Sequence, residues 1–132
     1  MKNEILILYV LEVAVLIMDN EERAEQLVKK YSFNFERISK SEIIELIETE
    51  INNFQEGSSE YIRLLCGYLY CIGDMSDAPL IKKVKYGINF DVECMIDVEW
   101  IENLEDGDVE NRKDITDYFV SYYKSYFGIE KE

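Results

Sequence analysis

Histidine is absent from this chain of 132 residues. Histidine is the side chain that most often acts as a general base near neutral pH and that most often binds transition metals. Its absence excludes catalytic triads that combine serine or cysteine with histidine. The sequence also has neither a GxGxxG pattern nor a GKS or GKT phosphate loop. We therefore predict a protein that is not an enzyme and that carries no cofactor.

Proline and glycine are scarce, with one proline and six glycines in the whole chain. A β-sandwich or barrel needs many tight turns, and this composition offers little material for them. Hydrophobic residues make up 48% of the chain, which is ample for one core at this length. We predict an all-α fold, with residues 1–132 forming a single-domain helical bundle or a short HEAT-like solenoid of about six or seven helices.

Long apolar runs and paired cysteines are also missing. The apolar run at residues 5–18 is too short to span a bilayer and follows no basic leader, and its pattern fits either a buried helix or a strand. The three cysteines are an odd number without CxxC spacing, and Cys66 and Cys71 would lie too far apart on one helix to form a disulfide. These features predict free thiols and a cytoplasmic protein.

Basic residues are few relative to acidic ones. The chain has 14 basic and 28 acidic residues, which gives a net charge of −14. Such a surface repels nucleic acid and anionic membranes and attracts a basic partner. Residues 91–117 alone hold eleven carboxylates against Arg112 and Lys113. The one dense basic cluster, at residues 82–85, is too small to bind nucleic acid and fits the solvated face of a helix.

Helical spacing recurs along most of the chain. Ser39 followed by Glu42 is a capping-box signature that predicts the start of an amphipathic helix. Residues 61–72 carry apolar side chains at i, i+3 and i+4 spacing and predict the central buried helix. Asn111 is predicted to cap the last helix. The inner stripe predicted for that helix consists of Ile115, Phe119, Tyr122 and Tyr126, flanked by Tyr118 and Tyr123.

Residues 90–104 show no single apolar face, because Glu93 and Asp97 fall between apolar sectors of a helical projection. Either the segment is two pieces or these acids are half-buried. Glu93 and Asp97 are the carboxylate pair to consider for acid–base chemistry, and the alternative is a pair bonded to a lysine or to backbone amides.

The stretch from Glu105 to Glu110 has alternating acids that superficially follow a calcium-binding loop. Counted from Asp106, the sixth position of such a loop is Asn111 where glycine is expected, and the twelfth is Asp117 where glutamate is usual. We therefore predict a solvated acidic loop and no metal site.

Residues 57–104 read GSSEYIRLLCGYLYCIGDMSDAPLIKKVKYGINFDVECMIDVEWIENL. This segment resembles the helical-hairpin core of bacterial immunity proteins of polymorphic toxins. The resemblance implies a protein that binds a cognate toxin domain, often a basic nuclease, and masks its active site. No contact residues carry over from such proteins, because immunity surfaces diverge with their toxins.

Carboxylates with interspersed aromatic residues suit a basic protein surface, since charge speeds the encounter and aromatic side chains anchor the complex. The predicted partner-binding residues are Glu93, Asp97, Glu99, Trp100, Glu102, Glu105, Asp106 and Asp108. The alternatives are a structural or homodimer-forming helical adaptor and, third, a carboxylate-dependent enzyme or metal protein. An acidic surface that serves solubility alone would carry no binding site.

Overall fold

Helices supply all the regular structure of residues 18–129, the part of the chain that the computed structural model describes. Within that range there are seven α-helices and no strand, so the predicted all-α domain of six or seven helices is confirmed. The apolar segment 5–18 lies outside the described residues except for Met18. The helices are α1 (Asn20–Tyr31), α2 (Lys40–Asn52), α3 (Glu60–Ile72), α4 (Ala78–Gly87), α5 (Phe90–Met95), α6 (Val98–Asp106) and α7 (Val109–Tyr126).

The helix starts follow side-chain capping. Ser39 Oγ accepts a hydrogen bond of 3.3 Å from the Glu42 amide at the start of α2, as its capping signature predicted. Asp19 caps α1 in the same way through the Glu22 amide at 2.8 Å. Short 3₁₀ turns at Phe35–Arg37 and Met75–Asp77 help to connect α1 to α2 and α3 to α4.

Helix α3 is the centre of the fold, as predicted, and packs against α1, α2, α5 and α6. Its residues are buried almost all round. At Gly67 the ring of Phe119, from α7, lies directly against the α3 backbone. A methyl group at residue 67 would overlap that ring, and such over-packing costs about 1–3 kcal/mol. The glycine therefore fixes how closely α7 packs on α3.

The last helix differs in two details from its prediction. The side chain of Asp108, one turn before Asn111, accepts from the Asn111 amide at 3.1 Å and caps α7. Tyr123 is fully buried, whereas 41% of Tyr126 is exposed, so the inner stripe is Ile115, Phe119 and Tyr123. The Tyr123 hydroxyl donates to the buried carboxylate of Glu60 at 2.8 Å, which ties α7 to the start of α3.

The segment without a single apolar face is two helices, α5 and α6, joined at Ile96 and Asp97. Both of the acids that interrupted the pattern, Glu93 and Asp97, are half-buried. The two alternatives that the sequence left open, a division into two pieces and half-buried acids, therefore both apply. The predicted acidic loop is much shorter than expected. Glu105 and Asp106 end α6, and Glu110 belongs to α7.

Candidate partner-binding surface

Helix α6 turns one side toward the core and the other toward solvent. Its start is fixed by Asp97, whose side chain accepts from the Glu99 amide at 2.9 Å. Its end is fixed by Gly107, which adopts a left-handed conformation with φ of 73°. The residues that point inward are Trp100, Ile101, Asn103 and Leu104.

Four carboxylates share the exposed side of α6, and we call them the carboxylate face. The carboxylate face consists of Glu99, Glu102, Glu105 and Asp106. Their spacing of three or four residues brings them onto neighbouring turns of one helix side. Like charges at this spacing repel one another, so the free protein gains no stability from holding them together.

Few of these charges are neutralised within the protein. Glu105 forms a salt bridge of 2.6 Å with Lys82, and both side chains are about half exposed. Among residues 18–129, Glu99, Glu102 and Asp106 form no salt bridge. The carboxylate face therefore keeps most of its negative charge.

Lys85, one turn further along α4 than Lys82, is directed elsewhere. Lys85 was predicted to lie on an exposed helix face together with Lys82 and Lys83, but it is half-buried. Its ammonium group donates to the backbone carbonyls of Glu93 at 2.6 Å and Ile96 at 2.5 Å, at the end of α5. The reason is local, because a short helix leaves carbonyl groups without partners and a lysine supplies hydrogen bonds to them.

The nearby arginines are also directed inward. Arg112 of α7 donates to the carbonyls of Tyr70 at 2.9 Å and Gly73 at 2.7 Å and so closes the end of α3. Arg63 donates through Nε to the Met95 carbonyl at 3.1 Å. Its Nη1 atom is buried without an acceptor among residues 18–129. Both guanidinium groups thus donate to main-chain carbonyls, and neither forms a salt bridge with the carboxylate face among residues 18–129, although Arg63 lines the same cleft as Glu99.

Trp100 does not have the position that the sequence prediction gave it. The side chain is only 2% exposed, so the expectation that it faces a partner is wrong for the free protein. Its ring stacks on Tyr70, with centroids 6.1 Å apart, and meets the Phe119 ring edge-on at 5.8 Å. Two residues along a helix turn a side chain by about 200°, so Trp100 points away from Glu102.

Among the other predicted site residues, Asp106 and Asp108 have structural roles, and Glu93 lies apart from Asp97. Asp106 Oδ1 accepts from the Asp108 amide at 2.8 Å, and Asp108 caps α7, so these two acids shape the link between α6 and α7. Asp97 lines two clefts beside α7, whereas Glu93, on α5, lines neither of them. The structure therefore does not bring Glu93 and Asp97 together in one cleft as an acid–base pair.

Exposed aromatic side chains lie next to these acids, on α7. We call Tyr118, Tyr122 and Tyr126 the tyrosine shoulder, because they recur every four residues along one side of the helix. Tyr118 is 68% exposed, whereas its spacing in the sequence predicted a place on the flank of the apolar stripe. A single sequence does not reveal which side of a tyrosine-rich helix its neighbours will cover.

Another cleft, of about 640 Å³, lies between α1 and α2 of the described residues. Arg23 dominates its polar lining and pairs with the buried carboxylate of Glu50. The same guanidinium donates to Asn20 Oδ1 at 2.8 Å and to Gln55 Oε1 at 3.1 Å. Burial lowers the pKa of Arg23. Among the polar residues that line this cleft, Arg23 is therefore bonded to both Glu50 and Gln55.

No group of three Cys, Asp or Glu side chains suited to holding a metal ion occurs between residues 18 and 129. None of the helices in this range combines the length and the apolar character needed to cross a bilayer. Comparisons with family models, with curated proteins and with solved structures find no match for this chain.

Proposed function

We propose that this protein is a non-enzymatic binding protein that meets a basic protein domain through the carboxylate face of α6. One observation carries the proposal. Four carboxylates share an exposed helix side, and three of them form no salt bridge within residues 18–129. The arginines and the half-buried lysine that lie nearby bind backbone carbonyls instead.

The arrangement suits fast recognition of a cationic surface. Clustered charges of one sign steer a partner of the opposite sign and raise its association rate by about 10- to 1000-fold, less so at high salt. The repulsion among the four carboxylates is relieved when cations from a partner approach them. The binding free energy therefore includes the release of an unfavourable interaction that exists only in the free protein.

The resemblance of residues 57–104 to immunity proteins suggests the class of partner. In this proposal the partner is a toxin domain with a basic surface, and binding masks its active site. The proposal also has the protein in the cytoplasm, where its three free thiols, Cys66, Cys71 and Cys94, would persist.

The test is the affinity for the basic domain encoded by the gene adjacent to that of this chain, measured by titration calorimetry. We expect the variant Glu99→Lys with Glu102→Lys to bind about tenfold or more weakly than the wild type, with a reduced dependence on salt. The matched control is Glu45→Lys with Glu48→Lys on α2, which changes the net charge equally at exposed positions. Equal affinities for the two variants would remove the carboxylate face from the account.

A further inference from the structure

The tyrosine shoulder is an aromatic surface that the seven helices leave uncovered. Tyr118 is 68% exposed and Tyr126 is 41% exposed, and half-buried Tyr122 lies between them. Tyrosine offers a large apolar area at a low cost in side-chain entropy and is enriched among residues that dominate binding energy. This row of three tyrosines, which residues 18–129 leave partly exposed, is therefore suited to contact with another protein.

The shoulder is continuous with the acidic surface. A cleft of about 390 Å³ lies between α6 and α7, and its charged and tyrosine lining consists of Arg63, Asp97, Glu99, Asp114 and Tyr118. A second depression, of about 370 Å³, runs along α7 past Tyr118, Tyr122 and Tyr126. Tyr118 borders both, so acidic and aromatic surface meet at this residue.

Internal contacts hold two of the rings in place. The Tyr122 ring lies 4.5 Å from the Arg63 guanidinium, and its hydroxyl donates to Glu60 at 3.0 Å. The Tyr126 ring stacks on Tyr122, with centroids 6.1 Å apart, and its hydroxyl donates to Glu21 at 3.3 Å. Burial, together with the contacts to Glu60, raises the pKa of Tyr122, so its hydroxyl stays protonated and keeps donating. A surface ordered before binding loses less entropy when a partner docks.

We infer that the tyrosine shoulder and the adjoining cleft form the docking surface for an amphipathic basic segment of a partner protein. Apolar side chains of that segment pack on Tyr118, Tyr122 and Tyr126. A lysine or arginine on the same segment pairs with the exposed carboxylates of Glu99 and Asp114, while Arg63 of this chain already lines the cleft beside them. This inference rests on the proposed function, since it takes the partner to be basic. The tyrosine shoulder takes the role of aromatic anchor that the sequence predicted for Trp100, which is buried.

The experiment uses two synthetic probes, an amphipathic peptide of lysine and leucine and an oligolysine of equal charge. The variant Tyr118→Ala should bind the amphipathic peptide about tenfold more weakly than the wild type, while oligolysine binding stays unchanged. The matched control is Tyr86→Ala on α4, because Tyr86 is 60% exposed and lies outside the shoulder. Thermal unfolding of both variants checks that the fold is intact, as expected for exposed side chains.

Other outcomes separate this inference from the proposed function. Equal losses for Tyr118→Ala and Tyr86→Ala would overturn the docking surface. If Glu99→Lys then still weakened oligolysine binding more than Glu48→Lys does, the proposed function would stand. If the two lysine variants behaved alike, the proposed function would fail as well. A concentration-dependent dimer that Tyr118→Ala abolishes would assign the shoulder to a second copy of this chain and overturn the inference.

Discussion

Single side chains decide where charge is available on this protein. Lys85 and Arg112 each donate to two or more backbone carbonyls at helix ends. A cation held there by hydrogen bonds is not free to pair with a carboxylate on a neighbouring helix. The exposed surface of α6 is therefore more negative than the count of charged residues along the sequence suggests.

Trp100 gives a direct check on side-chain placement, because it is the only tryptophan in the chain. Since the side chain is 2% exposed, we expect its fluorescence in the native protein to be blue-shifted and almost insensitive to iodide. Unfolding in urea should shift the emission to the red and make it quenchable. Strong iodide quenching of the folded protein would contradict the buried position and restore Trp100 as a surface residue.

Glu42 gives a pH-dependent prediction. Partial burial of its carboxyl favours protonation, but hydrogen bonds from Lys30 and Tyr31 outweigh burial and hold its pKa below the ordinary value of 4.5. A lowered folded-state pKa means that Glu42 stabilises the fold above the unfolded-state pKa and that this stability is lost as the pH falls through the folded value. At neutral pH we expect Glu42→Gln to lower the unfolding free energy by about 0.5–1 kcal/mol.

The measurement for Glu42→Gln is urea unfolding at a series of pH values, with Glu48→Gln as the control at an exposed position of the same helix. The difference between wild type and Glu42→Gln should be constant above about pH 5 and vanish in more acidic solution. A difference that grows as the pH falls would show that the pKa of Glu42 is raised in the folded protein.

At the scale of the helix, α5 shows how hydrogen bonds from a neighbouring helix stabilise a very short helix. It has six residues, so most of its carbonyls lack partners within the helix, and Lys85 of α4 donates to two carbonyls at its end. Replacing Lys85 by methionine keeps most of the apolar length of the side chain and removes the ammonium group with its charge. We expect Lys85→Met to lower the unfolding free energy by about 1.5–3 kcal/mol, the range for hydrogen bonds to a charged group.

The control for Lys85→Met is Lys83→Met, at an exposed position of the same helix. That change should stay within about 0.5 kcal/mol of the wild type, as is usual for surface substitutions. Chemical denaturation of the two variants measures both effects. Equal stabilities would mean that the carbonyls at the end of α5 do not depend on Lys85.

Much at this scale could be predicted from sequence, because capping and spacing act within a few residues. The Ser39 cap, the buried helix α3 and the interruption near Asp97 are all local signals that the structure bears out. Which side of α7 is buried does not depend on local sequence alone. Tyr118, Tyr122, Tyr123 and Tyr126 surround much of that helix, and the position of α3 and α6 beside it decides that Tyr123 is covered and Tyr118 is not.

The candidate site was predictable in part, for the same reason. Helical periodicity is enough to put Glu99, Glu102, Glu105 and Asp106 on one side of α6. It is also enough to turn Trp100 away from Glu102, a consequence that the density of acids around Trp100 obscured. That Asp97 and Asp108 cap helices depends on the exact helix starts, which are the least reliable feature of a sequence prediction.

For the whole molecule, a net charge of −14 implies self-repulsion in the folded state. The variant Glu102→Lys relieves some of that repulsion at an exposed position of α6 that lies beyond the first turn, where the helix dipole favours the acid Glu99. We expect it to raise the unfolding free energy by about 0.5 kcal/mol at low salt, with the gain disappearing near 1 M salt, where the screening length falls to about 3 Å. Thermal unfolding across a salt series measures the change.

The contrast between stability and binding is informative. Suppose that a variant is more stable than the wild type when free and binds a basic domain less tightly. The replaced carboxylates then contribute to binding and lower the stability of the free protein. If Glu102→Lys were less stable than the wild type at low salt, Glu102 would have a stabilising partner, and the statement that its charge is not neutralised within residues 18–129 would be wrong.

The footprint of a basic partner on this protein tests the central claim most directly. Hydrogen exchange of the backbone amides, compared with and without the bound basic domain, reports which helices the partner covers. We expect slower exchange in α6 and along α7, from residue 97 to residue 126, and little change in α1 and α2. Slower exchange confined to residues 20–52 would contradict the claim that the acids of α6 and the tyrosines beside them are the binding surface.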